Sequence, residues 1–486
     1  MKNQIQLITY ANRLGDNGLK GIHKLIKNEF KDAFGGIHLL PFYFPIDGVD
    51  AGYDPIDHTR VDERIGSWTD VSKMSTDFGI LADIIVNHVS AQSKEFKDVE
   101  EKGVDSPFFD LFLTKEKVFS EGASVEDIEA IYRPRPSIPF TKKTIANGES
   151  INLWTTFTSN QLDIDVLHPL GEAYLNSILE KFSQAGIKMI RLDAAGYAIK
   201  KAGTSCFMLP ETYKFLDKFA GKAKRLGMEV LVEIHSYYRE QIKIAQKVDF
   251  VYDFALPPLV LHSIRSRRFT ELKNWLEISP RNCVTVLDTH DGIGVIDVTG
   301  SNGNPGLLTD EDVDLLVQSI HKNANGQSLE ATGEAASNLD LYQVNCSFYD
   351  ALGKNDQDYL IARAIQFFCP GIPQVYYVGF LAGENDMELL RKTKVGRDIN
   401  RHYYENEEIR MALERDVVKS LIKLMKFRNN HPSFEGDFII EKSDSDALIL
   451  TWVKDEFKST LNVDFEENIL RISYSDSTGN SMLQLF

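Results

Sequence analysis

The stretch IKMIRLDA, residues 187–194, is apolar at most positions and places Arg191 and Asp193 near its end. A short run that is apolar on both faces, instead of alternating, is typical of a parallel strand that is covered on both sides. Seven further runs of this kind are spread along the chain: IQLITYA from Ile5, GIHLLPF from Gly36, ILADIIVNH from Ile80, EVLVEIH from Glu229, FVYDFALP from Phe250, CVTVLDTHD from Cys283 and IPQVYYVG from Ile372. Amphipathic stretches lie between them, and eight strand–helix units predict a (β/α)8 barrel, the TIM-barrel class of α/β fold.

The spacing of these runs along the chain is uneven, which predicts insertions between the barrel strands and a separate C-terminal domain. About a hundred residues separate His88 from Ile187 and include RPRPSIPF from Arg133. This interval after strand 3 is too long for a simple loop and predicts an inserted subdomain over residues 87–167. The interval after strand 7, residues 293–352, predicts a second insertion of short helices with a mobile loop. Four alternating runs predict a small antiparallel C-terminal domain at 433–486, which leaves 1–86, 168–292 and 353–432 for the barrel.

Composition excludes some classes of partner. The formal net charge of −17 argues against a nucleic-acid partner, because phosphate backbones favour clustered Lys and Arg. No apolar run approaches the roughly 18–20 residues that span a bilayer, and the N-terminal stretch has no small-residue cleavage site, so no secretory signal is predicted. Four scattered cysteines without a CxxC pair predict buried thiols in a reducing cytoplasm; they are Cys206, Cys283, Cys346 and Cys369.

Polar residues recur late in the predicted strands or directly after them. These are Asp83 and His88, Arg191 and Asp193, Glu233 and His235, and His290 and Asp291. In a barrel of this class the carboxyl ends of the strands form the active face. Buried charges without partners are unfavourable, so charges placed this regularly predict a functional site at that face.

Two of these carboxylates fit one kind of chemistry. Glycosyl transfer with retention uses two carboxyl groups about 5–5.5 Å apart, one as nucleophile and one as general acid/base. Asp193 and Glu233 end neighbouring predicted strands, and Arg191 lies on the same side of its strand as Asp193. The arginine is expected to lower the pKa of Asp193, and the apolar residues before Glu233 are expected to raise the pKa of that acid. The alternative is a purely structural ion-pair network around Arg191.

Four short segments, DIIVNH from Asp83, Arg191-Leu-Asp193, Glu233 and His290-Asp291, resemble the segments that characterise the α-amylase superfamily, glycoside hydrolase family 13. The resemblance implies that Asp193 is the nucleophile and Glu233 the acid/base. It also implies that Asp291 stabilises the transition state, and that His88 and His290 bind hydroxyl groups of the transferred glucosyl unit.

Longer stretches of the sequence resemble one subfamily of this superfamily. Among them are RLDAAGYAIKKAGTSCF from Arg191, VYDFALPPLVLHS from Val251, LDTHDGIGVIDV from Leu287 and PGIPQVYYVGFLAGENDMELL from Pro370. They are similar to the sucrose phosphorylase subfamily over essentially the whole chain. The implied reaction is the reversible phosphorolysis of sucrose to α-D-glucose 1-phosphate and D-fructose, by double displacement through a β-glucosyl-enzyme.

The subfamily resemblance also implies roles for further residues. Asp50 and Arg397 are expected to hold the distal glucose hydroxyls, and Tyr53 and Phe157 to line the glucose pocket with aromatic rings. Arg191 is included in the substrate site. The acceptor side is expected to serve fructose and phosphate in turn; it comprises Arg135, Tyr197, His235, Asp340, Leu341, Tyr342 and Gln343. Ordinary aromatic packing for Tyr53 and Phe157, and a solvated arginine for Arg135, are the competing interpretations.

No cofactor and no metal are predicted, because the acidic residues form no dense ligand loop and the resembled subfamily requires none; phosphate is expected as a co-substrate. The competing functions are phosphorolysis of a related α-glucoside (sucrose 6′-phosphate, glucosylglycerol or glucosylglycerate), sucrose hydrolysis or transglucosylation, and a non-enzymatic partner of a membrane transporter. The sequence leaves open whether the chain is a monomer or a homodimer.

Overall fold

The barrel strands come from eight separate places in the chain. A computed structural model describes residues 1–48, 50–133, 138–146, 148–301, 303–332, 343–476 and 479–485. Within this part of the chain, eight strands close into a barrel: β1 (Gln6–Thr9), β2 (Gly36–Leu39), β3 (Gly79–Ile85), β4 (Met189–Asp193), β5 (Glu229–Val232), β6 (Phe250–Asp253), β7 (Cys283–Thr285) and β8 (Ile372–Tyr376). Each predicted run overlaps one of these strands, so the predicted barrel is confirmed.

The strands follow one another around the barrel in chain order, and β8 is next to β1. The pairings of β4 with β3 and β5, and of β7 with β6 and β8, are parallel. Register matters for the site, because Arg191 is level with Asp83 on β3 and with Leu231 on β5. The carboxyl ends of β3, β4 and β5 therefore bring their terminal polar residues to one edge of the sheet.

Helices separate the strands and cover them. Pro169–Ala185 begins with Pro at its first position and ends at Gly186, whose φ of 82° is the left-handed conformation that favours glycine at a helix end. The helices between barrel strands and after β8 include Gly18–Lys27, Trp68–Asp77, Pro169–Ala185, Pro210–Arg225, Tyr238–Ala245, Leu256–Ser266, Thr270–Ile278, Asp356–Phe368, Tyr377–Phe380, Met387–Thr393, Asn406–Glu414 and Asp416–Asn430. None of the helices in the described ranges is long and apolar enough to cross a membrane.

The chain forms two compact units. Unit B comprises Leu39–Ile234 and Lys247–Phe250 and includes the interval predicted as an inserted subdomain. There His88–Ser90 pairs with Gln161–Asp163, and Phe140–Thr144 pairs with Ser150–Trp154. Short helices accompany them at Lys94–Lys102, Lys115–Val118 and Val125–Glu129. A small apolar core holds these pieces together; it includes Leu113, Phe119, Ile131, Trp154 and Cys206.

Unit A comprises Met1–His38, His235–Gln246 and Val251–Phe486. It ends in an antiparallel sheet of β9 (Asp437–Ile440), β10 (Ala447–Lys454), β11 (Phe457–Asp464), β12 (Ile469–Asp476) and β13 (Gly479–Leu483). The sequence predicted the first four of these strands and missed β13, whose residues GNSML do not alternate. In the interval after β7, the helix Asp310–Asn323 is longer than the short helices predicted, and Gln327–Thr332 and Phe348–Ala351 follow. The domain boundaries remain predictions.

Candidate active site

Arg191 on β4 is the centre of the polar cluster in unit B. Its side chain is 2% exposed. Nη1 contacts the carboxylate of Asp83 and lies 3.2 Å from Oδ1 of Asp193, and Nη2 lies 2.5 Å from Oε1 of Glu233. Asp83 is fully buried, whereas the side chains of Asp193 and Glu233 are 14% and 12% exposed. One guanidinium therefore holds a buried carboxylate beneath two carboxylates that remain accessible.

These partners keep the guanidinium of Arg191 protonated and positively charged. Burial alone would lower its pKa, but attraction to Glu233, Tyr53, Asp83 and Asp193 raises the pKa well above the ordinary value. A planar, permanently charged guanidinium can bond two carboxylates at once. Arg191 consequently fixes the orientation of both accessible carboxylates while neutralising part of their charge.

Asp193 and Glu233 lie side by side. Leu192 pairs with Val232, so the next residues along the two strands are neighbours across the sheet, where strands are about 4.8 Å apart. The Glu233 amide also lies 3.4 Å from the carbonyl oxygen of Leu192. This placement suits the spacing of about 5–5.5 Å used by retaining glycosidases. The apolar setting predicted for Glu233 is wrong, because the adjacent strand supplies Arg191 as a charged partner.

The residues predicted for the glucose pocket form a connected set in unit B. The Tyr53 hydroxyl accepts a hydrogen bond from Nη1 of Arg191 at 3.0 Å, and Nε2 of His88 lies 2.9 Å from the Tyr53 carbonyl oxygen. The Phe157 ring centroid lies 5.3 Å from that of His88 and 5.2 Å from that of Tyr197. Burial lowers the pKa of His88, which favours a neutral imidazole. The Asp50 carbonyl accepts a hydrogen bond from the Tyr53 amide at 2.9 Å, so Asp50 shares a turn with this set.

Lys200 is a buried residue of this region that sequence reasoning missed. Its Nζ lies 2.8 Å from Oδ2 of Asp163 and 2.8 Å from Oδ1 of Asn87, and it also contacts the Tyr197 carbonyl oxygen. The ammonium group thus ties the turn after β4 to the strand Gln161–Asp163. A lysine following the apolar stretch AAGYAI was the available signal, but its partners are distant in sequence.

In unit A, Asp291 is held by arginines from the segment after β8. Nη1 of Arg397 lies 2.7 Å from Oδ1 of Asp291, and Nη2 of Arg401 lies 3.8 Å from the same oxygen. Nε of Arg401 donates to the His290 carbonyl oxygen at 2.9 Å, and Nε2 of His290 lies 3.5 Å from Asp291. The structure therefore brings the predicted residues Asp291, His290 and Arg397 together. Arg401 was not predicted.

His235 is the centre of a second cluster in unit A. Its Nδ1 lies 3.0 Å from Oδ2 of Asp297, and its Nε2 lies 3.4 Å from the side-chain nitrogen of Gln343. Its ring stacks on Phe254 with centroids 3.9 Å apart. His235 and Gln343 were predicted as acceptor-side residues, whereas the buried Asp297 was not.

Four predicted residues, Arg135, Asp340, Leu341 and Tyr342, lie outside the described residues. Their proposed place on the acceptor side, and the predicted mobility of that loop, therefore remain predictions from the sequence.

Known proteins resemble the chain over nearly its full length. A family model for the α-amylase catalytic domain matches residues 11–300. A sucrose phosphorylase of Agrobacterium vitis is 58% identical, covering 98% of this chain and 97% of that protein. A sucrose phosphorylase of Bifidobacterium adolescentis is 50% identical, covering 99% and 97%.

A solved structure agrees with these relatives. The crystal structure of sucrose 6F-phosphate phosphorylase from Thermoanaerobacter thermosaccharolyticum superposes with a TM-score of 0.91 at 40% identity, covering 99% of this chain and 98% of that one. The chain belongs to the α-amylase family and, within it, to the group of the sucrose phosphorylases.

Proposed function

We propose that the chain is a sucrose phosphorylase, a glycosyltransferase of the α-amylase family that converts sucrose and phosphate reversibly into α-D-glucose 1-phosphate and D-fructose. The observation that carries this proposal is the adjacent pair Asp193 and Glu233, oriented by the two terminal nitrogens of Arg191. The 58% identity to a sucrose phosphorylase supports sucrose as the donor.

The reaction proceeds in two displacements. In the first, a carboxylate oxygen of Asp193 attacks the anomeric carbon, the bond to fructose breaks, and Glu233 gives its proton to the departing oxygen. In the second, a phosphate oxygen attacks the same carbon and the ester to Asp193 breaks, while Glu233 takes a proton from the incoming phosphate. Two inversions give net retention. Arg191 supports this sequence because its Nη1, 3.2 Å from Oδ1 of Asp193, stabilises negative charge on that carboxylate.

The donor side binds a single glucosyl unit. Asp291, held by Arg397, stabilises the positive charge that develops on the sugar. His88 and His290 bind hydroxyl groups, and Asp50 and Arg397 hold the distal end of the ring. Tyr53 and Phe157 line the pocket with aromatic rings.

The acceptor side receives fructose and phosphate in turn. Tyr197, His235 and Gln343 contribute to it together with Arg135, Asp340, Leu341 and Tyr342. Phosphate requires local positive charge in a chain whose net charge is −17, and Arg135 supplies it. Asp340 would repel phosphate at short range, so the two acceptors require different arrangements of this loop.

We further propose that the enzyme needs no cofactor or metal and acts in the cytoplasm on small-molecule substrates. The ammonium of Lys200 bonds the oxygens of Asp163 and Asn87, so these two oxygens already have a cationic partner. Dialysis against EDTA should leave the activity unchanged. The buried free thiols of Cys206, Cys283, Cys346 and Cys369 suit a reducing compartment.

The decisive experiment is a donor panel with inorganic phosphate. Sucrose, sucrose 6′-phosphate, glucosylglycerol and glucosylglycerate are each incubated with the enzyme at millimolar phosphate, and α-D-glucose 1-phosphate and free glucose are quantified. Sucrose should give the highest rate, with glucose 1-phosphate as the main product. Mostly free glucose would identify a hydrolase, and a faster reaction with another donor would identify a phosphorylase of that glucoside. The Asp193→Asn variant is the matched inactive control.

A further inference from the structure

Asp297 is a fully buried carboxylate in a short 3-10 helix of unit A. Its Oδ1 accepts hydrogen bonds from the Ser236 amide at 3.1 Å and from the Gln241 side chain at 2.8 Å. Its Oδ2 lies 3.0 Å from Nδ1 of His235. Within the described residues, His235 is the side chain in contact with Asp297 that can carry a positive charge.

These contacts select one tautomer of His235. Oδ1 of Asp297 already accepts two hydrogen bonds, and Oδ2 acts as an acceptor toward the ring, so Nδ1 carries the hydrogen atom that it shares with Asp297. On the other side of the ring, the Gly292 amide donates to Oε1 of Gln343 at 3.2 Å, which turns the Gln343 amino group toward Nε2 of His235 at 3.4 Å. A donor facing Nε2 requires a lone pair on that nitrogen.

The surroundings hold the ring in this orientation. The imidazole stacks on Phe254 at an interplanar angle of 18°. Gly294 closes the other approach: a Cβ atom there would lie 2.9 Å from Oδ2 of Asp297 and 3.3 Å from Nδ1 of His235. The position therefore tolerates no side chain without displacing the Asp297–His235 pair.

We propose that Asp297 is a positioning residue for the acceptor site: it fixes His235 in the Nδ1–H tautomer and so presents Nε2 as a hydrogen-bond acceptor. This inference rests on the proposed function, in which His235 meets fructose and phosphate. The Gln343 contact of 3.4 Å is longer than an ordinary hydrogen bond, so an incoming sugar hydroxyl or protonated phosphate oxygen can replace it and donate a hydrogen bond to Nε2. One fixed nitrogen can thus serve both a neutral and an anionic acceptor molecule.

The test is the Asp297→Asn variant. The Asn oxygen can still accept from Ser236 and Gln241, so its amino group turns to Nδ1, which must then become an acceptor while Nε2 takes the hydrogen atom. Nitrogen-15 NMR of the imidazole reads the tautomer directly, and the spectrum of His235→Asn identifies the His235 signals among the 11 histidines. The expected result is an exchange of the protonated nitrogen from Nδ1 to Nε2.

Kinetics supply the second readout. In Asp297→Asn, KM for phosphate in phosphorolysis and KM for fructose in the reverse reaction should each rise about tenfold, the scale of one hydrogen bond. Hydrolysis of α-D-glucosyl fluoride uses neither acceptor and should stay within about twofold. Equal loss in all three reactions, or an unchanged tautomer with unchanged KM values, would overturn the inference.

Two further variants serve as a control for Asp297→Asn and as a substitute for it. Asp350→Asn changes another buried carboxylate of unit A, one that accepts from the Asn385 amide at 2.8 Å, and should leave both KM values unchanged. If Asp297→Asn does not fold, Gly294→Ala crowds the Asp297–His235 pair and should raise the same KM values; no rise would count against the inference. A wild-type enzyme that makes no glucose 1-phosphate would refute the proposed function instead, and the NMR result on the tautomer would stand.

Discussion

Two buried arginines of the molecule, Arg191 in unit B and Arg363 in unit A, have different numbers of carboxylate partners. Among the described residues, Arg191 contacts three carboxylates, those of Asp83, Asp193 and Glu233. Arg363 contacts one carboxylate within that part of the chain, Asp288 at 2.7 Å, and otherwise neutral groups. Its Nη1 donates to Gln366 at 2.9 Å and its Nε to the Tyr359 hydroxyl at 3.1 Å.

The difference separates a balanced, buried ion pair from the ion-pair cluster in which we propose that the reaction occurs. Arg363 and Asp288 balance each other and are sealed from solvent, with 0% and 2% of their side chains exposed. The Arg191 cluster has an excess of negative charge, and two of its carboxylates are partly exposed. Because two of these carboxylates are partly exposed, the excess negative charge can be reduced by a proton, by a bond to the substrate or by a positive charge that develops on the substrate. The balanced and buried pair Arg363–Asp288 allows none of these changes.

The largest expected effect comes from Asp193→Asn. Removing the proposed nucleophile should lower glucose 1-phosphate formation by about 10⁴-fold or more, because the proposed mechanism forms the glucosyl ester on Asp193. The thermal midpoint should not fall, since the change relieves repulsion around Arg191. Near-normal activity without chemical reversion of Asn to Asp would remove Asp193 from its role.

Glu233→Gln should be the next most severe. Loss of general acid catalysis should lower the rate with sucrose by about 10²–10⁴-fold. The loss should be much smaller for glucosyl-enzyme formation from α-D-glucosyl fluoride, because fluoride leaves without a proton. The two donors are compared by the initial burst of released fructose or fluoride. An equal loss with both would contradict the acid role.

Arg363→Met probes the balanced pair. It leaves Asp288 buried without its cation and should lower the free energy of unfolding by about 3–5 kcal/mol, while KM for sucrose in the folded fraction stays within about twofold. Arg64→Met is the matched control, because Arg64 is half-exposed and its pairs with Asp47 and Asp62 should contribute about 1 kcal/mol or less. Similar losses for both variants would refute the distinction between the arginines.

The smallest effect, counted per pH unit, concerns Asp253, a buried carboxyl that accepts a hydrogen bond from Nε1 of Trp275. Burial raises its pKa to about 7, above the value of about 3.9 for an unfolded chain. The folded protein therefore binds an extra proton between these values, and its stability falls as pH rises from about 4 to 7. Relative to Asp253→Asn, the wild type should lose about 1.4 kcal/mol per pH unit in this window, measured by denaturant unfolding. A pH-independent difference would contradict the raised pKa.

The sequence predicted the parts of the molecule that depend on local pattern. Apolar runs identified all the barrel strands, because strands covered on both faces must be apolar throughout. Asp193 and Glu233 were predicted to be neighbours because each ends one of two adjacent strands, and the structure places them side by side. The strand Gly479–Leu483 was missed, since its polar residues at the edge of the sheet do not alternate.

What the sequence could not predict are contacts between segments far apart in the chain. Glu233 follows two apolar residues, yet its environment is set by Arg191 on the next strand. Asp297 and Arg401 meet their partners His235 and Asp291 across 62 and about 110 residues. The sequence of one segment does not show which side chains a distant segment places beside it. The contacts of Glu233, Asp297 and Arg401 therefore became known only from the structure.

The central claim is that Asp193 carries the glucosyl group, and mass spectrometry of the trapped intermediate tests it most directly. Glu233→Gln is incubated with α-D-glucosyl fluoride, quenched in acid and digested with trypsin. We predict one added anhydroglucose unit on the peptide Leu192–Lys200, at Asp193. Azide is a nucleophile that carries no proton, so adding it before the quench should remove this unit as α-D-glucosyl azide appears. A label on any other residue, or β-D-glucose 1-phosphate formed by wild type from sucrose, would contradict it.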